Sequence, residues 1–279
     1  MKPDKNILLE LVEKYPCTEI AKQYLVSVNT IYNWLKLYQI TIKPKGYWHK
    51  FITKYNYNYE VFTKENELSY YLLGVFLTDG CMKKDKVSLS SSDEDWILSI
   101  RDLICPNKPL EKERSNCWRL NISDFRIRKW LLDNNCTPKK SLTLQFPNVP
   151  EKYLPDFLRG CVDGDGTIAH KQYIRKNNGR KFYSTHWAIT CASKDFTNTV
   201  SAILNKKNIN SYILKVIPGE RKNSIINGRE ILHKNIYYNI TGGHKQAYNF
   251  LKWIYYPNHC LSLERKKILA NSIIAHYNS

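Results

Sequence analysis

The sequence predicts an α/β (α+β) protein with two pseudo-symmetric half-domains, preceded by a small module of three helices. Three observations support this prediction. A motif of nine residues occurs twice, beginning at Leu72 and at Leu158. Each copy is followed by alternating apolar and polar residues, which is typical of strands, and then by helical periodicity. The N-terminal residues show helical periodicity only. The expected divisions are a module at 1–42, a linker at 43–65, and half-domains at 66–150 and 151–279.

The N-terminal module resembles a helix-turn-helix. Its second and third helical segments are separated only by residues 25–27, so these two helices must cross sharply. Ser27 is a suitable N-cap for the third helix. In helix-turn-helix proteins the second helix of the motif enters the major groove of DNA by its N-terminal residues. The resemblance implies base contacts by Val28, Asn29, Thr30 and Asn33. A three-helix packing unit without a role in DNA binding is the alternative.

The predicted linker at 43–65 contains structure-breaking Pro44 and Gly46 among many basic and aromatic residues. Its lysines can lie along phosphates while its aromatic residues anchor it. An ordinary solvated connector explains the same composition.

A strong excess of positive charge indicates a polyanionic partner. Lys and Arg total 43 against 25 acidic residues, which gives a net charge of +18. The basic residues are spread along the chain and mixed with Tyr, Asn and Trp, rather than collected on one amphipathic helix. This distribution favours nucleic acid over a membrane surface. No apolar run approaches the length of a membrane span. We therefore expect a soluble intracellular protein, from a bacterial or phage-infected cytoplasm or an organelle matrix.

The eight cysteines indicate no metal site. No two of them form a Cys-x-x-Cys pair, and none has a histidine at zinc-finger spacing. We expect reduced, mostly buried thiols.

The glycines of the repeated motif have a predicted role in packing. Gly74 and Gly160 lack side chains and therefore allow two helices to approach backbone to backbone. Gly80 and Gly166 suit the left-handed conformation that often ends a helix. The motif is thus expected to be a helix that packs closely on its counterpart and ends at an Asp-Gly pair.

The two aspartates at these helix ends indicate a metal. Asp79 and Asp165 are each expected at a helix C-terminus, where the dipole opposes an anion by roughly 0.3–1 kcal/mol. Pseudo-symmetry brings the two ends together, so the carboxylates also repel each other. A divalent cation shared with phosphate oxygens removes both penalties. Such a carboxylate pair suits metal-assisted hydrolysis of a phosphodiester.

These motifs resemble those of the LAGLIDADG homing endonucleases, and the resemblance extends from about residue 66 to residue 275. It implies that the motif helices form the interface between the halves, and that antiparallel saddle sheets enter the DNA major groove. The acid at the eighth motif position, Asp79 in one half and Asp165 in the other, is then a ligand of the catalytic Mg²⁺, for which Mn²⁺ can substitute. The first motif departs from the pattern at Leu73 and Leu77, and neither is a metal-binding position.

The resemblance also implies a basic residue near each scissile phosphate. Lys140 occupies that place in the first half, with Lys139 as the alternative, and Lys266 occupies it in the second half, with Arg265 as the alternative. Asp163 is interpreted as a capping or packing group. An ordinary solvated charge is the alternative for each basic residue.

Residues 171–183 read as strand, glycine turn and strand, with many basic and polar side chains. Base edges and phosphates of DNA are the expected partners of Lys171, Gln172, Arg175 and Arg180.

The expected protein is therefore a monomer that hydrolyses both strands of a long double-stranded DNA target with Mg²⁺ and promotes the mobility of an intron or similar element. A non-catalytic DNA-binding regulator or an intron RNA maturase on the same scaffold is the alternative. Both motif acids are present in this chain, which favours the nuclease.

Overall fold

A computed structural model describes residues 2–42, 55–114, 116–174, 177–217, 224–226, 229–231 and 235–278. The chain divides into two compact units, Met1–Lys54 and Tyr55–Ser279.

The first unit contains three helices, α1 (Lys5–Lys14), α2 (Cys17–Gln23) and α3 (Val28–Leu37). They enclose a small apolar core of their own, because each places its apolar stripe inward. Its fully buried members are Leu8, Ile20, Ile31 and Leu35. Ser27 caps α3, and its Oγ accepts a hydrogen bond from the Thr30 N–H at 3.1 Å. These are the three helices that the periodicity predicts.

The second unit begins with the elements of the first half. In chain order they are α4 (Glu60–Thr63), α5 (Glu67–Thr78), β1 (Cys81–Met82), β2 (Val87–Ser91), α6 (Glu94–Ile104), β3 (Glu111–Arg114), β4 (Cys117–Ile122) and α7 (Phe125–Asp133). The strands form an antiparallel sheet in the order β1-β2-β4-β3. Two short 3₁₀ turns, Lys140–Leu142 and Glu151–Tyr153, lead to the second half.

The second half repeats this arrangement with longer strands. Its elements are α8 (Leu154–Asp165), β5 (Gly166–Ile174), β6 (Lys181–Cys191), α9 (Lys194–Lys206), β7 (Tyr212–Val216), β8 (Ser224–Ile226), β9 (Arg229–Ile231), β10 (Tyr237–Gly243), α10 (Lys245–Ile254) and α11 (Glu264–Asn278). Its main antiparallel sheet has the order β5-β6-β10-β7, and β8 pairs with β9. Two antiparallel four-stranded sheets, one in each half, confirm the predicted fold class.

The motif helices α5 and α8 pack against each other at the centre of this unit. A Cβ atom added at Gly74 would lie 2.2 Å from the carbonyl oxygen of Phe157, and one at Gly160 would lie 2.1 Å from that of Tyr71. Any larger residue would force the two backbones apart. In the structure Gly74 and Gly160 lie where the backbones of α5 and α8 approach each other closely.

The prediction for the glycines that follow the helices is wrong. Gly166 has φ −78° and ψ 161°, which is extended backbone, and Gly80 is not among the residues with positive φ. Glycine is required instead because the chain folds tightly back on its own helix. A Cβ atom would lie 2.3 Å from the Phe76 carbonyl oxygen at Gly80, and 2.6 Å from the Val162 carbonyl oxygen at Gly166.

The second part of the linker predicted at 43–65 is not a linker in the structure. Tyr57, Val61 and Phe62 are buried in the core of the second unit, and Phe62 packs against the rings of Phe76 and Trp130. The aromatic residues were interpreted as anchors of a connector, but here Tyr57 and Phe62 belong to the core of the second unit. The rest of the predicted linker, at 43–54, lies outside the described residues.

Across the parts of the chain that the structure describes, no helix has the length and apolar character needed to span a membrane.

Candidate active site

The two motif aspartates meet at the C-terminal ends of the paired helices. Asp79 is the C-cap of α5, and its N–H donates to the Val75 carbonyl at 2.9 Å. Asp165 is the last residue of α8. Because the glycine contacts hold the helices at backbone distance, the carboxyl groups of Asp79 and Asp165 lie close enough to interact directly.

This arrangement makes the charged form of Asp79 unfavourable. Burial, followed by repulsion from Asp165 and a hydrogen bond with it, raises the pKa of Asp79 to about 7. The positive charges of Lys266 and Lys140 act in the opposite direction. The site is thus a half-buried acid beside an exposed one, and the two nearby lysines offset only part of the burial and repulsion that oppose the charged form of Asp79.

Both predicted lysines lie against the ends of the motif helices. Lys140 is 8% exposed and donates through Nζ to the Gly80 carbonyl. Lys266 is 4% exposed, and its Nζ donates to the carbonyls of Val162, Asp163 and Gly164 at 2.6, 2.9 and 2.9 Å. Burial lowers the pKa of Lys266 to about 8, although the carboxylates of Asp163, Asp79 and Asp165 favour its charged form.

The alternative basic residues point elsewhere. Lys139 is exposed, with a left-handed backbone (φ 57°), while Arg265 donates from Nε to the Asp93 carboxylate at 3.0 and 3.1 Å. Lys140 and Lys266 are therefore the lysines that the fold brings to the aspartates.

A buried polar network holds the segment that carries Lys266. Asp163 accepts hydrogen bonds from the hydroxyl groups of Tyr71 and Tyr255 at 2.9 and 2.6 Å, and from the backbone N–H of Leu263 at 2.8 Å. Leu263 in turn accepts from the N–H of Lys266 at 2.9 Å, in the first turn of α11. Asp163 thus fixes the start of α11, in agreement with its interpretation as a packing group.

Arg159 adds a second attachment for the same segment. Its side chain is fully buried and donates to the carbonyls of Ile254 and Leu261 at 2.9 and 2.8 Å. Its charge is paired with Asp156, with Nη2 and Oδ1 2.7 Å apart. In the first motif the positions of Arg159 and Asp163 are occupied by Leu73 and Leu77, so only the second motif has this polar attachment.

The donor set at the helix ends suits a hard divalent cation. It consists of two carboxylates, and among the described residues no cluster of three or more His, Cys, Asp or Glu side chains forms a complete metal cage. Mg²⁺ is commonly bound in this incomplete way, by one or two carboxylates with the remaining positions left to water and substrate phosphates. A cavity of about 90 Å³ opens beside Asp165 and is also lined by Thr78, Lys140 and Cys191.

The predicted DNA-contacting strand residues do not all share one face. Successive residues of a strand point to opposite sides of a sheet. Gln172 pairs with Tyr183, and its Oε1 accepts a hydrogen bond from that hydroxyl at 2.9 Å, on the side that faces α11. Lys171 pairs with Ser184 on the open side. Arg180 is exposed in the turn between the strands, and the side chain of Arg175 lies outside the described residues.

In the N-terminal module, Asn29 and Asn33 are exposed on α3. Thr30 is only partly exposed, and its hydroxyl lies 2.9 Å from Ser27 Oγ at the helix cap. The two asparagines are free to contact a partner, whereas the hydroxyl of Thr30 belongs to the cap.

Sequence reasoning missed Gly164 and the tyrosines of the polar network. A Cβ atom at Gly164 would lie 2.1 Å from Thr78 Oγ1 and 3.4 Å from Asp79 Oδ2, so this glycine makes room for the other half's motif. Aligning the two motifs pairs Gly164 with Thr78 and could have indicated this contact. The sequence carries no comparable signal for Tyr71 and Tyr255, because their partner Asp163 is distant along the chain.

Comparisons with known proteins agree with this architecture. Residues 153–254 match the family model of a LAGLIDADG-like domain. The homing endonuclease I-SmaMI, bound to an uncleaved DNA target in the presence of calcium ions, aligns with a TM-score of 0.50 and 11% identity, over 77% of this chain and 92% of its own. I-SmaMI bound to cleaved DNA aligns with a TM-score of 0.50 and 10% identity, over 77% and 91%. No curated protein matches the chain in sequence. The second half therefore contains a LAGLIDADG-like domain, and the two halves together have the fold of the LAGLIDADG homing endonucleases.

Proposed function

We propose that the chain is a site-specific homing endonuclease that hydrolyses both strands of a long double-stranded DNA target with a divalent metal. The main support is the meeting of Asp79 and Asp165 at the ends of the paired helices, where burial and then repulsion from Asp165 raise the pKa of Asp79. Two carboxylates held together, one of them half-buried, destabilise the protein unless positive charge offsets their repulsion. The likeness in fold to an endonuclease bound to cleaved DNA supports the same function.

Mg²⁺ is the cation that the proposal assigns to this pair. When bound, it stabilises developing negative charge on a phosphodiester and lowers the pKa of water. Asp79 and Asp165 would hold it at the ends of the paired helices. Lys140 and Lys266 add positive charge beside the scissile phosphates and fix the helix ends through their bonds to the carbonyls.

The net positive charge of the chain and the length of the hairpin of β5 and β6 support double-stranded DNA as the partner. The chain has a net charge of +18, and the hairpin of β5 and β6 is long enough to enter a major groove, which admits a two-stranded ribbon. Because the repeat supplies two half-sites in one chain, a monomer suffices. The N-terminal module adds contacts through Asn29 and Asn33, and the host element is an intron or a similar mobile segment.

Cleavage of a randomised duplex library, with Mg²⁺ or with EDTA, tests the proposal. We expect wild type to cut both strands at one long site only with Mg²⁺. Asp79→Asn and Asp165→Asn should abolish cutting or reduce it to nicking. The matched control is Asp95→Asn, since Asp95 is an exposed acid in the first turn of α6. This variant should cut like wild type.

Specific, salt-sensitive binding of a duplex without any cutting contradicts the proposal and leaves a DNA-binding regulator on the same scaffold. Specific binding of a structured RNA without cutting of DNA indicates a maturase instead.

A further inference from the structure

Two aromatic side chains on the hairpin of β5 and β6 lie exposed and stacked. Tyr173 and Phe182 are directly opposite each other in the antiparallel register. Their ring centroids are 5.4 Å apart and their planes are inclined by 22°. Tyr173 is 45% exposed and Phe182 is 38% exposed. Large aromatic rings at such exposure leave apolar area in water that a partner can cover.

The register places this pair on the open side of the sheet. On one side of the hairpin, His170 and Thr185 form hydrogen bonds to α11, from His170 Nδ1 to Ser272 Oγ at 2.9 Å and from Thr185 Oγ1 to the Tyr277 hydroxyl at 3.2 Å. Tyr173 is three residues from His170 and Phe182 is three residues from Thr185. An odd spacing along a strand turns a side chain to the other face. The aromatic pair therefore faces away from α11.

This open side also carries positive and polar groups. Lys171 and Ser184 form the next pair on the same face, two residues from Tyr173 and Phe182 respectively. Arg180, which is exposed, follows at the turn. An apolar pair bordered by cations fits a polyanion that also presents apolar groups. An apolar protein partner has no need of the surrounding charges.

Duplex DNA has this combination in its major groove. Phosphates line the groove, and the 5-methyl group of thymine is its one apolar feature, which side chains such as Phe contact directly. A two-stranded ribbon fits the groove, and a cross-strand pair near its tip is carried to the base edges. The Lys-, Asn-, Ile- and Tyr-rich composition is compatible with an A·T-rich genome.

We propose that Tyr173 and Phe182 determine specificity by packing against thymine 5-methyl groups in the major groove of the DNA target. This inference rests on the proposed function and adds the substrate feature that the hairpin recognises. Neither residue takes part in hydrolysis.

Replacement of thymine by deoxyuridine tests the inference, because it removes only the methyl group. In the target selected from the randomised library, each thymine is replaced in turn, and binding is measured with Ca²⁺ in place of Mg²⁺. We expect at least one replacement to weaken binding by wild type by roughly fourfold, the equivalent of about 0.8 kcal/mol for one buried methyl group. The Tyr173→Ser and Phe182→Ser variants should bind the original duplex and that deoxyuridine duplex equally.

The matched control is Ile174→Ser. Ile174 adjoins Tyr173, is 63% exposed and points to the opposite face of the strand. The Ile174→Ser variant should keep the full difference in binding between thymine and deoxyuridine duplexes. Tyr173→Phe keeps the ring, so it should behave like wild type even if the serine variants distort the hairpin.

Equal binding of thymine and deoxyuridine duplexes by wild type overturns the inference and leaves the proposed function intact. Undiminished methyl sensitivity in both serine variants also overturns it. If no duplex binds at all, the proposed function and this inference fail together.

Discussion

Asp79 and Asp165, from two halves of one chain, meet as a carboxylate pair in which burial and mutual repulsion raise the pKa of Asp79 to about 7. Around this pair lie two helix-contact glycines, a lysine from each half, and a polar network centred on Asp163 that also includes Tyr71 of the first half.

The first prediction concerns the stability of the metal-free protein. The pKa of Asp79 is about 7 in the folded state against an ordinary value of 3.8, so the folded state holds a proton that the unfolded state releases. The free energy of unfolding should therefore fall as the pH rises from about 4 to about 7, and then level off. Urea unfolding with EDTA across this range measures the decrease.

Asp79→Asn cannot titrate and should show a smaller decrease, whereas Asp95→Asn should match wild type. Addition of Mg²⁺ at pH 8 should raise the Tm of wild type more than that of Asp79→Asn. Identical pH profiles for wild type and Asp79→Asn would mean that repulsion between the acids does not affect stability.

The second prediction concerns the helix contact. In Gly160→Ala the new Cβ atom would lie 2.1 Å from the Tyr71 carbonyl oxygen, and backbone cannot move aside as a side chain can. Separation of α5 from α8 should reduce the free energy of unfolding by about 1–3 kcal/mol or more. Chemical denaturation measures the loss, and DNA cleavage should fall with it because the aspartates move apart.

Gly243→Ala is the matched control, because a Cβ atom there would lie at an ordinary 3.4 Å from the Thr185 carbonyl oxygen. Equal stability of the two variants would show that close approach of the helices is not needed.

The third prediction separates Lys266 from its neighbour. Lys266→Met leaves three carbonyl groups at the end of α8 without their shared donor. Unsatisfied buried polar groups cost about 1–3 kcal/mol each, so this variant should be clearly destabilised. It should also lose cleavage at temperatures where it remains folded. Circular dichroism and a cleavage assay on one preparation measure both effects.

Arg265→Met is the control, because it removes only an exposed ion pair with Asp93, and such pairs contribute about 0–1 kcal/mol. Similar losses of stability and cleavage in Arg265→Met and Lys266→Met would mean that the bonds from Lys266 to the carbonyl groups do not stabilise the site.

The fourth prediction uses the alternation of the β5 strand. Lys171 is on the open side of the sheet and Gln172 is bonded to Tyr183 on the other. Lys171→Ala should weaken DNA binding and reduce the slope of log K against log salt by about 1. Gln172→Ala should change neither. Fluorescence anisotropy at several salt concentrations measures both quantities, and a larger effect at Gln172 would mean that DNA binds the opposite face.

The sequence determined the repeat, the helix-strand order and the position of both aspartates. These follow from local rules, since the apolar period specifies helix or strand and glycine marks a close approach. Thus Gly74, Gly160, Asp79 and Asp165 were all identified from the motif alone, and pseudo-symmetry implied that they meet. The choice of Lys140 and Lys266 came from the family resemblance.

Only the tertiary structure decided the remaining features, because they depend on contacts between residues distant in the chain. The network of Asp163 joins Tyr71, Tyr255 and Leu263 across as many as 100 positions. The packing of Phe62 in the core of the second unit corrected the linker prediction, since aromatic residues alone do not specify what they cover. Strand register decided which residues of the hairpin point outward, because a shift of one residue reverses every side chain.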